Sequence, residues 1–212
     1  MSVRRRYLIA GCVIIACLLI AVTVARAVRG GRVHQDRLGY AKRKGPDRAR
    51  VHLIEYSDFQ CPACERARGP VEDLRRQFEN DLQVEFRHYP LERPLRWAMT
   101  AALFAECAAG QGKFCEYHDR PYGGQAQWAA SPDAIPFFVR YAEEVGLAQR
   151  PLEKCLADPK TLEHIRAEHA SGEARQIQST PTIFINEHRV IGASELTEKG
   201  KALVEEELNG KK

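Results

Sequence analysis

The sequence predicts a mixed α/β domain interrupted by a block of helices. Three observations carry this. A β-prone run, Val51–Ser57, leads into helix-compatible sequence and is followed by a second run of alternating apolar and polar residues, Leu82–Tyr89. From Pro94 to about Gln178 the pattern is helical. At Thr182 the period returns to two, and the chain closes on an amphipathic helix.

Taken in order, Arg4-Arg5-Arg6 precede Tyr7–Ala25, an uncharged run just long enough to cross a bilayer as a helix. One transmembrane signal anchor over residues 1–27 is expected. Arg26, Arg29, Arg32 and Arg37 follow it, so charge alone leaves the orientation open. Residues 28–50 are basic and poor in large apolar side chains, which predicts a solvated linker before a domain over residues 51–212.

Within that domain Val51, Leu53, Ile54 and Tyr56 mark the first strand. A helix over Cys64–Asn80 presents Ala67, Val71, Leu74 and Phe78 on one face, with Pro70 expected to interrupt and kink it. Two strands joined by such a helix form a parallel βαβ unit. Helices follow over Trp97–Ala109, Phe114–Tyr122, a segment opened by Ser131-Pro132-Asp133 and closed by Gly146, and a segment capped by Asp158-Pro159. The helical block, about residues 94–178, is an insertion. Thr182-Ile183-Phe184-Ile185, a turn at Asn186-Glu187 and His188–Ile191 read as a hairpin. Leu196, Leu203, Val204 and Leu208 line the last helix.

The chain has 212 residues and a net charge of +4, with basic residues concentrated near the N-terminus rather than interleaved with aromatics; nucleic acid is not an expected partner. Seven cysteines are many for a reducing cytosol and suggest an oxidising compartment. Cys61-Pro62-Ala63-Cys64 stands where a strand feeds a helix. There the free N–H groups of the first turn and the helix dipole favour a thiolate at Cys61, and Cys64, one turn on, can resolve a mixed disulfide. Cys61 is expected to be exposed. Half a zinc site and an inert disulfide are the competing readings, although Cys107, Cys115 and Cys155 supply no second pair at matching spacing.

Thr180-Pro181 enters the strand that opens the hairpin, a position where proline is tolerated and a cis bond is accessible. With these residues the chain resembles the DsbA-like branch of the thioredoxin superfamily, the exported thiol:disulfide oxidoreductases. Glu55-Tyr56-Ser57-Asp58-Phe59-Gln60-Cys61-Pro62-Ala63-Cys64 and Ser179-Thr180-Pro181-Thr182-Ile183-Phe184-Ile185-Asn186 carry the resemblance, with a weaker match from Ala105-Glu106-Cys107-Ala108 to His118-Asp119.

The resemblance implies a thioredoxin fold, β-α-β … β-β-α, with a helical insertion. Cys61 and Cys64 would be catalytic, with cis Pro181 packed against them. Thr180, Pro62 and Ala63 would meet substrate, and Glu55 would be a buried acid exchanging protons with Cys64. It also implies a structural disulfide within the insertion; Cys107 with Cys155, each on a helix-like segment, is the expected pair, leaving Cys115 free, and three buried free cysteines are the alternative. Expected partners are reduced or misoxidised exported proteins and a quinone-linked membrane oxidoreductase. The expected location is a bacterial inner membrane, single-pass, with the catalytic domain on the extracytoplasmic side. No cofactor or metal is called for. A dedicated reductase or isomerase, or a thiol-dependent metal-binding or chaperone module, is the alternative. The dipeptide Pro62-Ala63 lacks the histidine of the family's strongest oxidants, which argues against an extreme potential.

Overall fold

The computed structural model describes residues 42–210 except Pro94, together with the isolated Ala21. The folded domain lies within the compact unit of residues 38–212. In chain order its elements are β1 (Arg43–Lys44), β2 (Val51–Ser57), α1 (Pro62–Gln77), β3 (Leu82–His88), α2 (Ala98–Gly110), α3 (Phe114–Gly123), α4 (Gln125–Ala129), α5 (Ile135–Glu144), α6 (Gln149–Ala157), α7 (Pro159–Ala174), β4 (Thr182–Ile185), β5 (His188–Ile191) and α8 (Gly192–Asn209). Among the described residues no helix is long and apolar enough to cross a membrane. The expected single-pass inner-membrane localisation is corrected on that finding; the run Tyr7–Ala25 on which it rested lies, apart from Ala21, outside the described residues.

One sheet runs β1-β3-β2-β4-β5. β2 and β3 are parallel, and β4 lies antiparallel to β2 with Glu55 opposite Ile183 and Tyr56 opposite Thr182. The period of two in β2 sends Val51, Leu53 and Glu55 to one face and Tyr56 to the other. On the first face Val51 and Leu53 pack with Ile183, Ile185, Val71 and Leu74 of α1, and Leu196 and Val204 of α8. Each such side chain contributes about 1.5–3 kcal/mol by leaving water. α1 and α8 cross closely because Gly200 has no Cβ; one there would lie 2.6 Å from Leu74 Cδ1. α1 continues through Pro70 to Gln77 where an interruption was expected, with Ala67, Val71 and Leu74 buried on the turns either side. On the second face Tyr56, Tyr89, Ile177 and Phe184 cluster. Phe104, Tyr117, Trp128 and Phe138 form the core of the insertion, which joins the sheet through Phe59 and Phe86. A disulfide between Cys107 of α2 and Cys155 of α6 spans 48 residues inside it.

The region read as a solvated linker ends in structure. Arg43 and Lys44 pair antiparallel with β3, and Lys42 is fully buried. The Lys42 Nζ lies 2.6 Å from Glu106 Oε2 and 2.6 Å from Glu168 Oε1. His88 Nε2 stands 3.2 Å from the same Glu106 oxygen, and the His88 N–H donates to Glu168 at 2.7 Å. Burial alone lowers the Lys42 pKa, but Glu168 and Glu106 outweigh it and the net shift is upward. A two-residue strand has no readable period, and both carboxylates that hold Lys42 are far along the chain, so the local sequence showed only a basic run.

Lys42→Met leaves Glu106 and Glu168 buried without their cation. The expected cost is about 3–5 kcal/mol, read from the urea midpoint at unchanged slope. A loss below about 1 kcal/mol would mean that the cluster is hydrated in solution.

Candidate active site

β2 ends at Ser57, and Cys61 is the N-cap of α1 with Pro62 in its first turn, where the missing N–H has no intrahelical partner. The N–H groups of Cys64 and Glu65 donate to the Cys61 carbonyl at 3.1 and 3.2 Å. The intervening loop is held from three directions. The Asp58 carboxylate accepts the Gln60 N–H at 2.7 Å and the Leu91 N–H at 2.8 Å. Gln60 Oε1 accepts the Trp97 N–H at 2.7 Å. From the insertion, Gln125 Nε2 donates to the carbonyls of Phe59 and Cys61 at 2.7 and 3.1 Å. β4 brings up the other half of the site. The Thr180–Pro181 peptide is cis, and the Cys61 thiol donates to the Thr180 carbonyl at 3.5 Å.

The two sulfurs occupy different environments. Cys61 keeps 9% of its surface and Cys64 none, so Cys61 is less open than expected but remains the accessible member. The Cys64 thiol, donating to Cys61, is the main reason that the Cys61 pKa falls from 9.0 to about 5; burial opposes this, while Thr180 and the N–H groups of Cys64 and Ala63 add to it. Burial, then the hydrogen bond to Cys61 and its charge, push Cys64 well up. Glu55 is 4% exposed, and burial raises its pKa against the pull of His118 and Ser57. Ser57 also acts on Cys64 and bonds the Tyr122 hydroxyl at 2.9 Å, so it stands between the acid and the inner sulfur. Burial takes Asp58 to about 6, opposed by its two backbone donors. A nucleophilic outer thiolate, a protonated inner thiol and a buried carboxyl whose pKa is raised form the set that thiol–disulfide exchange requires.

A family model described as thioredoxin matches residues 40–205. The chain belongs to the thioredoxin family. Among solved structures, a thioredoxin-like oxidoreductase from Silicibacter pomeroyi DSS-3 superposes with TM-score 0.66 at 26% identity, over 77% of this chain and 89% of that one. BdbD from Bacillus subtilis gives TM-score 0.71 at 19% identity over 80% and 93%, a likeness of fold. The Na(+)/H(+) antiporter NhaA 1 from Mycobacterium sp. (strain KMS) is 33% identical over 150 residues, which is 69% of this chain and 23% of the antiporter. The chain thus spans about a quarter of the length of the curated relatives that it matches.

This thioredoxin-family structure brings Cys61, Cys64, Glu55, Thr180 and Pro181 to one place. Pro62 is exposed and Ala63 half-buried beside the dithiol. Cys115 is a free, half-buried thiol on α3, apart from the disulfide. Sequence reasoning assigned Asp58 and Gln60 no role beyond their place in the motif, showed His118 only within a weaker match, and did not point to Gln125. A tight loop before a dithiol must satisfy its own N–H groups, so Asp58 carried a usable signal; Gln125 acts across 64 residues and carried none.

Thiolate absorbance of the reduced protein is expected to titrate with a midpoint of about 5 and to move upward in Cys64→Ala. A midpoint in the ordinary range, about 8.5, contradicts the geometry. Glu55 gives a second expectation. A raised native pKa means that the folded state holds a proton that the unfolded state has released, so stability falls as pH rises above about 4.5. Glu55→Gln is therefore more stable than the parent at pH 8, by about 1.4 kcal/mol for each tenfold that burial weakens the acid, and no more stable at pH 4. A gain confined to pH 4 reverses the assignment.

Proposed function

We propose that the protein is a DsbA-like oxidoreductase that donates a disulfide to exported, cell-envelope protein substrates through Cys61 and Cys64. The observation that carries this reading is the asymmetry of the dithiol: an outer sulfur with a pKa of about 5 and an inner one with no exposed surface.

In the donating direction a substrate thiolate attacks Cys61 Sγ of the Cys61–Cys64 disulfide. The S–S bond breaks, Cys64 leaves with the electron pair, and Glu55 supplies its proton through the reach of Ser57. A second substrate thiolate attacks the substrate sulfur of the mixed disulfide and releases Cys61 as thiolate. The substrate is oxidised by two electrons, and the protein becomes a dithiol. An external acceptor, a disulfide or a quinone-linked membrane oxidoreductase, restores it. Thr180 and cis Pro181 flank Cys61 on the side where an extended substrate segment would lie, with Pro62 and Ala63 on the other.

Low thiolate pKa at the attacked sulfur favours the reduced protein, and hence donation. Cys61→Ser is expected to abolish exchange, and Cys64→Ser to accumulate mixed disulfides with substrate thiols. The equilibrium with glutathione decides direction. A potential between about −270 and −120 mV is expected, and one as low as thioredoxin's removes donation in favour of reduction.

A further inference from the structure

Glu55 must exchange its proton with solvent once per turnover, yet it sits in a sheet at 4% exposure. It borders a cavity of about 590 Å³, whose wall also includes His118 and Asp119 of α3. His118 is walled by aromatic rings, with centroids 5.3 Å from Phe86, 5.6 Å from Phe114, 5.7 Å from Phe59 and 5.0 Å from Tyr122. Its Nδ1 lies 3.1 Å from Asp119 Oδ1, which fixes the Nδ1–H tautomer and leaves Nε2 as the acceptor. The His118 side chain is 19% exposed and that of Asp119 60%, so the pair spans the distance from interior to water.

We propose that His118, oriented by Asp119, is the station through which Glu55 exchanges protons with the solvent of this cavity. The proposal deepens the reading of Glu55 as proton partner of Cys64 and rests on it. When Cys64 leaves as thiolate it takes the Glu55 proton. His118 Nε2 then accepts a proton from the cavity solvent and passes it to the carboxylate, a net uptake of one proton from solvent with His118 unchanged. Resolution in the reverse direction returns it by the same route. His118 is thus a positioning residue for the proton; it touches neither substrate nor sulfur.

The surrounding charges permit this role. From α1, Arg68 stands 3.6 Å from Asp119, and Glu72 is engaged by Arg75 at 2.8 Å and by Lys44 of β1 at 2.9 Å. Cys115 on α3 has its pKa raised, first by burial, and stays a thiol at neutral pH. The same wall carries Lys42 and, from α1, Glu65, Arg66, Asp73 and Arg76; among its carboxylates, Asp119 is bonded to His118 and Glu55 is the one whose ionisation the His118 charge favours. The charge of His118 acts on Glu55 directly, so protonating the imidazole makes the acid easier to ionise.

The test is the pH profile of the Cys64-dependent step in the full chain, followed by stopped-flow release of a mixed disulfide on Cys61. His118→Gln, which keeps a hydrogen-bonding side chain facing Asp119 but cannot carry the proton, is expected to slow that step about tenfold or more and to change the shape of its pH profile. The Cys61 thiolate midpoint should not move. His118→Ala opens further room in the cavity, and added imidazole should restore the rate saturably. An equal loss at every pH with no imidazole rescue makes His118 a packing residue and overturns the proposal, as does an unchanged rate in both variants. Glu55→Gln separates the two readings. If it slows the step while the His118 variants do not, only the relay fails; if it leaves the step and its pH profile intact, the role of Glu55 fails and the relay with it.

Discussion

The site depends on the burial of one sulfur one helical turn behind another. Cys64 lies on the inward face of α1, on the same stripe as Ala67, Val71 and Leu74, and so belongs to the core before it belongs to the chemistry. Cys61, as N-cap, is outside the helix and keeps 9% of its surface exposed. The separation follows from helical geometry and from the direction in which β2 delivers the chain. Once it is set, the hydrogen bond between the sulfurs has only one favourable sense. The inner thiol keeps its proton because ionising it would strand a charge in the core, and it donates that proton's hydrogen bond to the outer thiolate.

The insertion supplies the rigidity that this arrangement needs. Gln125 bonds the carbonyls on either side of the turn into Cys61, and Phe59 stacks on Phe86 with centroids 5.2 Å apart. His88 packs at 6.1 Å from Phe59 and reaches back to Glu106, so the loop that presents the dithiol is backed by the buried charge cluster around Lys42. His88, Glu106 and Glu168 form a donor set of the kind that can hold a metal ion, but the Lys42 ammonium, 2.6 Å from each carboxylate, stands in that place. The dithiol is not part of it.

How much of this was legible follows from the range of each interaction. The Cys61-Pro62-Ala63-Cys64 segment announces a helix start by local rules alone, and Thr180-Pro181 announces a strand entry; together they indicate a site because the order of elements on either side is compatible with one sheet. Glu55 was visible as a carboxylate in an apolar strand. Lys42 was not, because a lysine in a basic stretch looks solvated until its two carboxylates are placed in space, and they come from α2 and α7. His118 was visible only as part of a weak pattern. What gives it meaning, a cavity shared with Glu55, exists only after β2 and α3 are packed together.

The missing histidine between the cysteines bears on how strongly the dithiol oxidises, and the magnitudes allow a bound. At pH 7 a thiol with a pKa near 9 gains nothing from ionising, whereas one at about 5 stabilises the reduced protein by about 2.7 kcal/mol. Thioredoxin's own thiol, near 7, already gains about 0.4 kcal/mol by the same route. The difference is about 2.3 kcal/mol, or about 50 mV for a two-electron couple. Cys64 adds nothing to this sum, since it is protonated at pH 7 in the reduced state. The stabilising donors are the Cys64 thiol, the Thr180 side chain and two backbone N–H groups, and the first of these ceases to exist when the disulfide forms. The dithiol is therefore expected to lie above thioredoxin by tens of millivolts and short of the strongest oxidants, whose thiolates fall to about 3.5. Thiolate stabilisation of this size is reached without a histidine in the dipeptide.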